Sequence, residues 1–187
     1  MPIYYESWRL ACDELKLIFP IERFYAEAGA PVSDIFQRLI DEQKPKSSNN
    51  HKLTASYCES VKRRYHSQIE DGGMKAGMID VVVDVARRYH GKIKMAVASS
   101  GWRDHVIKGL ERNGILHLFD TIVTADDDAV KRPKPFPDIF LVAAERIGVD
   151  PKMCIGFEDA DFGINGLKSA GFSYACDVRK LQRYPHR

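Results

Sequence analysis

The sequence predicts an α/β fold, a Rossmann-like parallel sheet core with helices on both faces, joined to a small helical cap. Three observations carry this. After Gly77, four short apolar runs alternate with amphipathic helical stretches, the pattern of right-handed βαβ units. Before it, some 70 residues show helical periodicity and almost no strand signal. And 187 residues, at roughly 150 per domain, allow one domain or one with a modest insert.

The helical part comes first. Tyr4, Trp8, Leu10, Ala11, Leu15 and Leu17 recur at three- and four-residue steps and share one face of a helix. Ile21 to Ala28 reads as a short helix stopped by Gly29-Ala30-Pro31, and 32–43 as a third, striped by Ile35, Phe36, Leu39 and Ile40. Lys44 to Asn50 is polar and breaker-rich, hence a loop. Helix resumes over about 53–69 and ends at Asp71-Gly72-Gly73, with Gly72, Gly73 and Gly77 as the hinge into the second part.

There, a helix over 78–89 precedes the run 95–98, and a helix over 103–112 (Val106, Ile107 and Leu110 inward) precedes 121–124. A helix over 137–147 precedes 153–157, and a last one over 162–170, stopped by Gly171, precedes 173–176. The expected division is 1–17 as a first core helix, 18–75 as the helical cap, and 76–187 as the α/β core.

Composition narrows the function classes. Apolar residues are 44% and charged residues 29%, a globular mixture. Lys plus Arg is 28 against Asp plus Glu at 26, a net charge of +2, which offers no electrostatic case for nucleic acid or an anionic membrane as partner. No apolar stretch approaches the ~18 residues of a membrane span, and the first residues lack a basic, then apolar, leader. Cys12, Cys58, Cys154 and Cys176 are scattered, with no C-x-x-C spacing, so reduced thiols and a cytoplasmic location are expected. The six histidines read as isolated from one another, Trp8 and Trp102 as packing residues, and Lys62-Arg63-Arg64 as a solvated helix face.

In parallel α/β sheets, ligands sit beyond the carboxyl ends of the strands. The first strand ends in Ser99-Ser100-Gly101, directly before a helix. Hydroxyls and free N–H groups there suit an anion such as phosphate, although Ser is also an ordinary N-cap. The loop after the second strand, Lys131-Arg132-Pro133-Lys134-Pro135-Phe136-Pro137-Asp138, is stiffened by three prolines. It therefore aims Lys134, a compact charge suited to a phosphoryl oxygen or simply to solvent. The third strand ends in Phe157-Glu158-Asp159-Ala160-Asp161. Carboxylates so close repel one another unless a cation lies among them, and hard oxygen donors suit Mg²⁺. Asp161 serves equally well as an acidic residue opening a helix.

Taken in order, these features resemble the haloacid dehalogenase superfamily of phosphatases. Ser99 matches its second motif, Lys134 in Lys-Pro-x-Pro-Asp its third, and Glu158-Asp159 its fourth. The stretch Phe157 to Ile164, continuing through Lys168-Ser169-Ala170-Gly171-Phe172, is similar to the sugar-phosphate phosphatase and β-phosphoglucomutase branch. Met95-Ala96-Val97 and Asp177-Val178-Arg179 are similar to bacterial fructose-1-phosphate and 6-phosphogluconate phosphatases. The resemblance implies Mg²⁺ at Glu158 and Asp159, a phosphate cradle of Ser99, Ser100, Gly101 and Lys134, and a small phosphorylated substrate. It also implies a monomer, with a dimer as the alternative.

The family's opening strand, carrying Asp-x-Asp-Gly-Thr, has no counterpart in these 187 residues. Asp126-x-Asp128 supplies the spacing after the second strand, but it precedes no Gly-Thr, so it reads as a solvated loop. The resemblance gives the first of those aspartates the attack on phosphorus and the second the acid–base role. It also places that strand centrally, between the strands ending at Ser99 and Phe157, so its absence exposes two inner edges. The expected function is thus a Mg²⁺-dependent sugar-phosphate phosphatase in a truncated form without its nucleophile, inactive as it stands. A non-catalytic binder of phosphorylated ligands or of a partner is the alternative. β-Phosphoglucomutase is disfavoured, since the cap loop Gly29-Ala30-Pro31-Val32-Ser33 offers no basic residue for a second phosphate.

Overall fold

The computed structural model describes residues 2–44, 53–74 and 77–181. The loop expected over Lys44–Asn50 lies outside them beyond Lys44. The chain divides into two compact units, Met1–Gly77 and Met78–Arg187.

The first unit holds α1 (Pro2–Leu15), α2 (Ile21–Ala26), α3 (Val32–Gln43) and α4 (Ala55–Asp71). Trp8, Ala11, Cys12 and Leu15 of α1, Ile35, Phe36 and Leu39 of α3, and Cys58 and Val61 of α4 form one apolar cluster. The Trp8 ring lies 4.7 Å from that of Phe19 and 4.6 Å from that of Phe36. The apolar stripe of the 1–17 segment finds partners on α3 and α4 within this unit. Thr54 caps α4, its hydroxyl accepting from Tyr57 N–H at 3.2 Å. The run Lys62-Arg63-Arg64 is not wholly solvated. Lys62 is buried, with Nζ 5.5 Å from the centre of the Trp8 ring, while Arg63 and Arg64 face outward.

The second unit runs α5 (Asp80–Tyr89), β1 (Ala96–Ser99), α6 (Arg103–Arg112), β2 (Thr121–Thr124), α7 (Asp138–Arg146), β3 (Ile155–Glu158), α8 (Asp161–Ser169) and β4 (Tyr174–Asp177). Each predicted helix and strand is present, with ends shifted by at most two residues. Val106, Ile107 and Leu110 of α6 are only partly buried. The strands pair in parallel, β1 with β2 and β3 with β4. Among the described residues they form two two-stranded sheets, with no backbone ladder between β1 and β3, as a parallel sheet without its central strand would.

Packing explains which faces are covered. Ile139, Phe140, Val142 and Ala143 of α7 cluster with Val123 of β2 and with Leu167 of α8. Gly156 of β3 admits Leu167 so closely that a Cβ there would lie 2.2 Å from its Cδ2. Successive side chains in a strand point to opposite faces, so Ile155 and Phe157 occupy the other face of β3. They are exposed, as is Tyr174 beside Ile155. The sheet is thus not covered on both faces throughout.

Candidate active site

Register brings the strand ends level. Ser99 pairs with Thr124 at the ends of β1 and β2, and Glu158 with Asp177 at the ends of β3 and β4. Between the two sheets stands Lys134. Its Nζ donates to the carbonyl of Ala98 in β1 at 3.3 Å and to the Glu158 carboxylate at the end of β3. It also lies 4.8 Å from the centre of the Phe140 ring. The lysine side chain is 7% exposed and that of Glu158 11%, so this is a buried ion pair that ties one sheet to the other.

The proline-rich loop holds Lys134 there. Asp138, the first residue of α7, accepts from Arg132 through N–H at 3.0 Å and Nη2 at 2.9 Å, closing the loop on itself. The Arg132 guanidinium lies over the Phe136 ring at 4.5 Å. These hydrogen bonds to Arg132 keep the Asp138 carboxyl below its ordinary pKa.

Ser99 turns its hydroxyl onto the loop that follows, Oγ accepting from Gly101 N–H at 3.1 Å. Its own O–H remains a donor toward a ligand. Ser100 is exposed, in the turn between β1 and α6. The expected cap at the start of α6 is supplied from elsewhere: Asp126 accepts from Arg103 N–H at 3.1 Å. Asp126 is thus a structural acceptor, and Asp127 is held by Arg146 at 2.6 Å. Neither acts as a second acidic motif.

The acidic strand end is less open than the sequence suggests. Glu158 accepts from Lys134 and, at 3.1 Å, from Asp159 N–H. Asp161 opens α8 and pairs with Arg179 at 2.7 Å, so the helix-opening role prevails. Arg179 also grips Asp177 at 2.7 Å, which lowers the Asp177 pKa. Among the described residues, Glu158, Asp159 and Asp161 do not bring three ligand atoms within 4.8 Å of one another.

Two residues escaped the sequence reading. Gly163 in α8 faces Glu158, and a Cβ there would fall 2.1 Å from the carboxyl carbon; the helix glycine keeps room for the ion pair. Thr124, level with Ser99, is fully buried, and its hydroxyl has no hydrogen-bond partner among the described residues. Nothing in the local sequence marks either one, since each role comes from a distant element.

The chain as a whole is similar to known proteins. The family profile described as haloacid dehalogenase-like hydrolase matches residues 2–176. The fructose-1-phosphate phosphatase YqaB of Escherichia coli is 34% identical over 180 residues, covering 96% of this chain and 89% of that protein. A phosphorylated carbohydrates phosphatase of Thermotoga maritima is 27% identical over 171 residues, 91% of this chain and 74% of that protein. The crystal structure of a β-phosphoglucomutase from Clostridium difficile matches with a TM-score of 0.72 at 25% identity, covering 93% of this chain and 76% of that one. By the profile match over residues 2–176 and the 34% identity that spans 96% of its length, this chain belongs to the haloacid dehalogenase-like hydrolases.

Proposed function

We propose that the ends of β1 and β3 hold the phosphoryl group of a small sugar phosphate, as in a phosphatase of phosphorylated carbohydrates. The observation that carries this is the position of Lys134. An ammonium has three N–H donors. Ala98 and Glu158 take two of them, which leaves one for a phosphoryl oxygen at the level of Ser99. The Ser99 hydroxyl and the backbone N–H of Ser100 complete the cradle on the β1 side, with Gly101 shaping the turn. The names of the two curated relatives support a sugar phosphate as ligand.

Hard carboxylate oxygens beside a phosphate fit Mg²⁺, which is commonly held by one or two carboxylates together with phosphate oxygens and waters. Because Glu158 is engaged by Lys134, Asp159 is the leading protein ligand and Glu158 the second. The ion would supply Lewis-acid stabilisation of charge on the phosphoryl oxygens. The residues of this chain bind and orient: Lys134 neutralises, Ser99 donates, and Glu158 keeps the ammonium in place. The attack on phosphorus falls, on this reading, to a carboxylate of the kind that the family carries in its Asp-x-Asp-Gly-Thr strand, while the residues named here bind and orient the phosphoryl group.

Calorimetric titration with fructose 1-phosphate and with inorganic phosphate tests the cradle. Binding at millimolar concentration is expected, weakened by about 1.5–3 kcal/mol in Lys134→Ala, the range for a hydrogen bond to a charged group. Ser99→Ala, which leaves the ion pair intact, should weaken it by about 1 kcal/mol. Equal affinity in wild type and Ser99→Ala, or in wild type and a folded Lys134→Ala, overturns the assignment.

A further inference from the structure

The opposite end of the same strands carries a second cluster. Residues 90–94 and 117–120 line a cleft of about 220 Å³. Lys94 and Met95 lead into β1 and Asp120 leads into β2. The cleft thus lies a strand's length from Ser99, about 13 Å at 3.3 Å per residue over four residues. The rings of His90 and His117 meet in this cleft with centroids 5.7 Å apart and planes at 81°. The histidines are therefore not all isolated, contrary to the sequence expectation. Chain folding pairs two that lie 27 positions apart.

Three features make this pair more than a ring contact. First, Nδ1 of His90 lies 3.3 Å from the carbonyl oxygen of Leu118. A carbonyl only accepts, so Nδ1 carries the proton and Nε2 keeps a lone pair in the neutral ring. Such an outward hydrogen bond to a backbone carbonyl is how metal-binding histidines are oriented. Second, the separation fits one ion. An imidazole nitrogen lies roughly 1.15 Å from its ring centroid and Zn–N is about 2.0–2.1 Å, which places each centroid about 3.2 Å from the metal. Two rings on one tetrahedral or trigonal ion then sit roughly 5.2–5.5 Å apart, a few tenths of an ångström from the observed value. Third, both histidines stand on ordered backbone. His90 N–H bonds Ala86 O at 2.9 Å at the end of α5, and His117 sits in the short 3-10 turn Leu116–Leu118. Asp120 lines the same cleft and accepts from Lys94 at 2.7 Å and from Met95 N–H at 2.8 Å, so one lysine charge there is already balanced.

We infer that His90 and His117 form a binding site for a borderline divalent cation of the Zn²⁺ class, with water completing its coordination. Two imidazoles select Zn²⁺ or its transition-metal neighbours over Mg²⁺, which prefers oxygen. Bound there, the ion would clip the end of α5 to the 3-10 turn before β2, away from the phosphate site.

The test is Zn²⁺ titration of the full chain by calorimetry, comparing wild type with His90→Ala and His117→Ala. Both rings are exposed, and thermal melts of the metal-free proteins verify that the variants fold. Wild type should bind one Zn²⁺ that each variant binds at least tenfold more weakly, and millimolar Mg²⁺ should not displace it. In long-range ¹H–¹⁵N spectra, Nε2 of His90 should shift on Zn²⁺ addition while Nδ1 moves little. Equal Zn²⁺ stoichiometry and affinity in wild type and both variants would overturn the site. So would inorganic phosphate binding that depends on the same two histidines without metal, which would make the cleft an anion site.

Discussion

Replacing Lys134 with Met while leaving Glu158 in place isolates the contact that joins the two sheets. The pair is nearly buried at both ends, 7% and 11% exposed. Removing one member strands a charge where water cannot reach it, at a cost of about 3–5 kcal/mol. The bond to Ala98 O and the contact with the Phe140 ring go with it, so the upper part of that range is expected. Against a total of ~5–15 kcal/mol for a typical domain, that is a large fraction. Replacing both partners with apolar residues of similar volume, Lys134→Met with Glu158→Leu, removes the stranded charge and should return stability to within about 1.5 kcal/mol of wild type. Urea unfolding at pH 7, run on both single variants and the double, gives the coupling energy directly. The double variant should be folded yet unable to bind phosphate, which separates the structural role of the pair from the ligand role of Lys134. A single-variant loss below about 1 kcal/mol, or losses that simply add, would show that the pair does not join the sheets.

Two further substitutions probe the same physics elsewhere. Gly163→Ala drives a methyl into the Glu158 carboxylate and should cost about 2–4 kcal/mol, the separated pair less the ~1 kcal/mol that Ala gains over Gly in a helix. Gly109→Ala on α6, where a Cβ meets nothing within 4 Å, should stabilise by up to about 1 kcal/mol and serves as the control in the same urea series. Lys62→Met should stabilise at neutral pH, because burial pushes the Lys62 pKa down to about 8 against the opposing pull of Glu59. At 1.36 kcal/mol per pKa unit, a fall from 10.5 to about 8 corresponds to a gain of about 3 kcal/mol. Below pH 8 both states carry the proton and the full cost is present. Between about 8 and 10.5 the unfolded chain binds more protons, so wild type gains stability and the advantage of the variant shrinks. Unfolding midpoints from pH 6 to 10 that stay parallel would contradict this.

What was legible in the sequence was local. Apolar spacing located the eight α-helices of the described residues because each buries one stripe, as Trp8, Ala11, Cys12 and Leu15 show. Proline and glycine punctuation placed Lys134 on a stiff loop and Glu158 at a strand end. That the two meet was not legible, since residues 134 and 158 are joined only by the way α7 returns the chain between β2 and β3. The partners of α1 have the same root: its stripe is equally compatible with a sheet or with other helices, and Phe36 and Val61 meet it only through the fold. Lys62 looked solvated because its neighbours Arg63 and Arg64 are, yet one residue along a helix is a turn of 100° and faces another side. The Asp126 cap and the His90–His117 pair depend on partners 23 and 27 residues away, beyond any periodicity.

The central claim is that these strand ends form the phosphate-holding half of a sugar-phosphate phosphatase. Its most direct test is release of inorganic phosphate from fructose 1-phosphate, with and without Mg²⁺. The 187-residue chain would be assayed beside the same chain preceded by a strand bearing Asp-x-Asp-Gly-Thr. The 187 residues should bind the sugar phosphate and release nothing, whereas the preceded form should release phosphate in a Mg²⁺-dependent manner that Ser99→Ala slows. Robust release by the 187-residue chain after rigorous repurification, or a folded preceded form that releases none, would contradict the account.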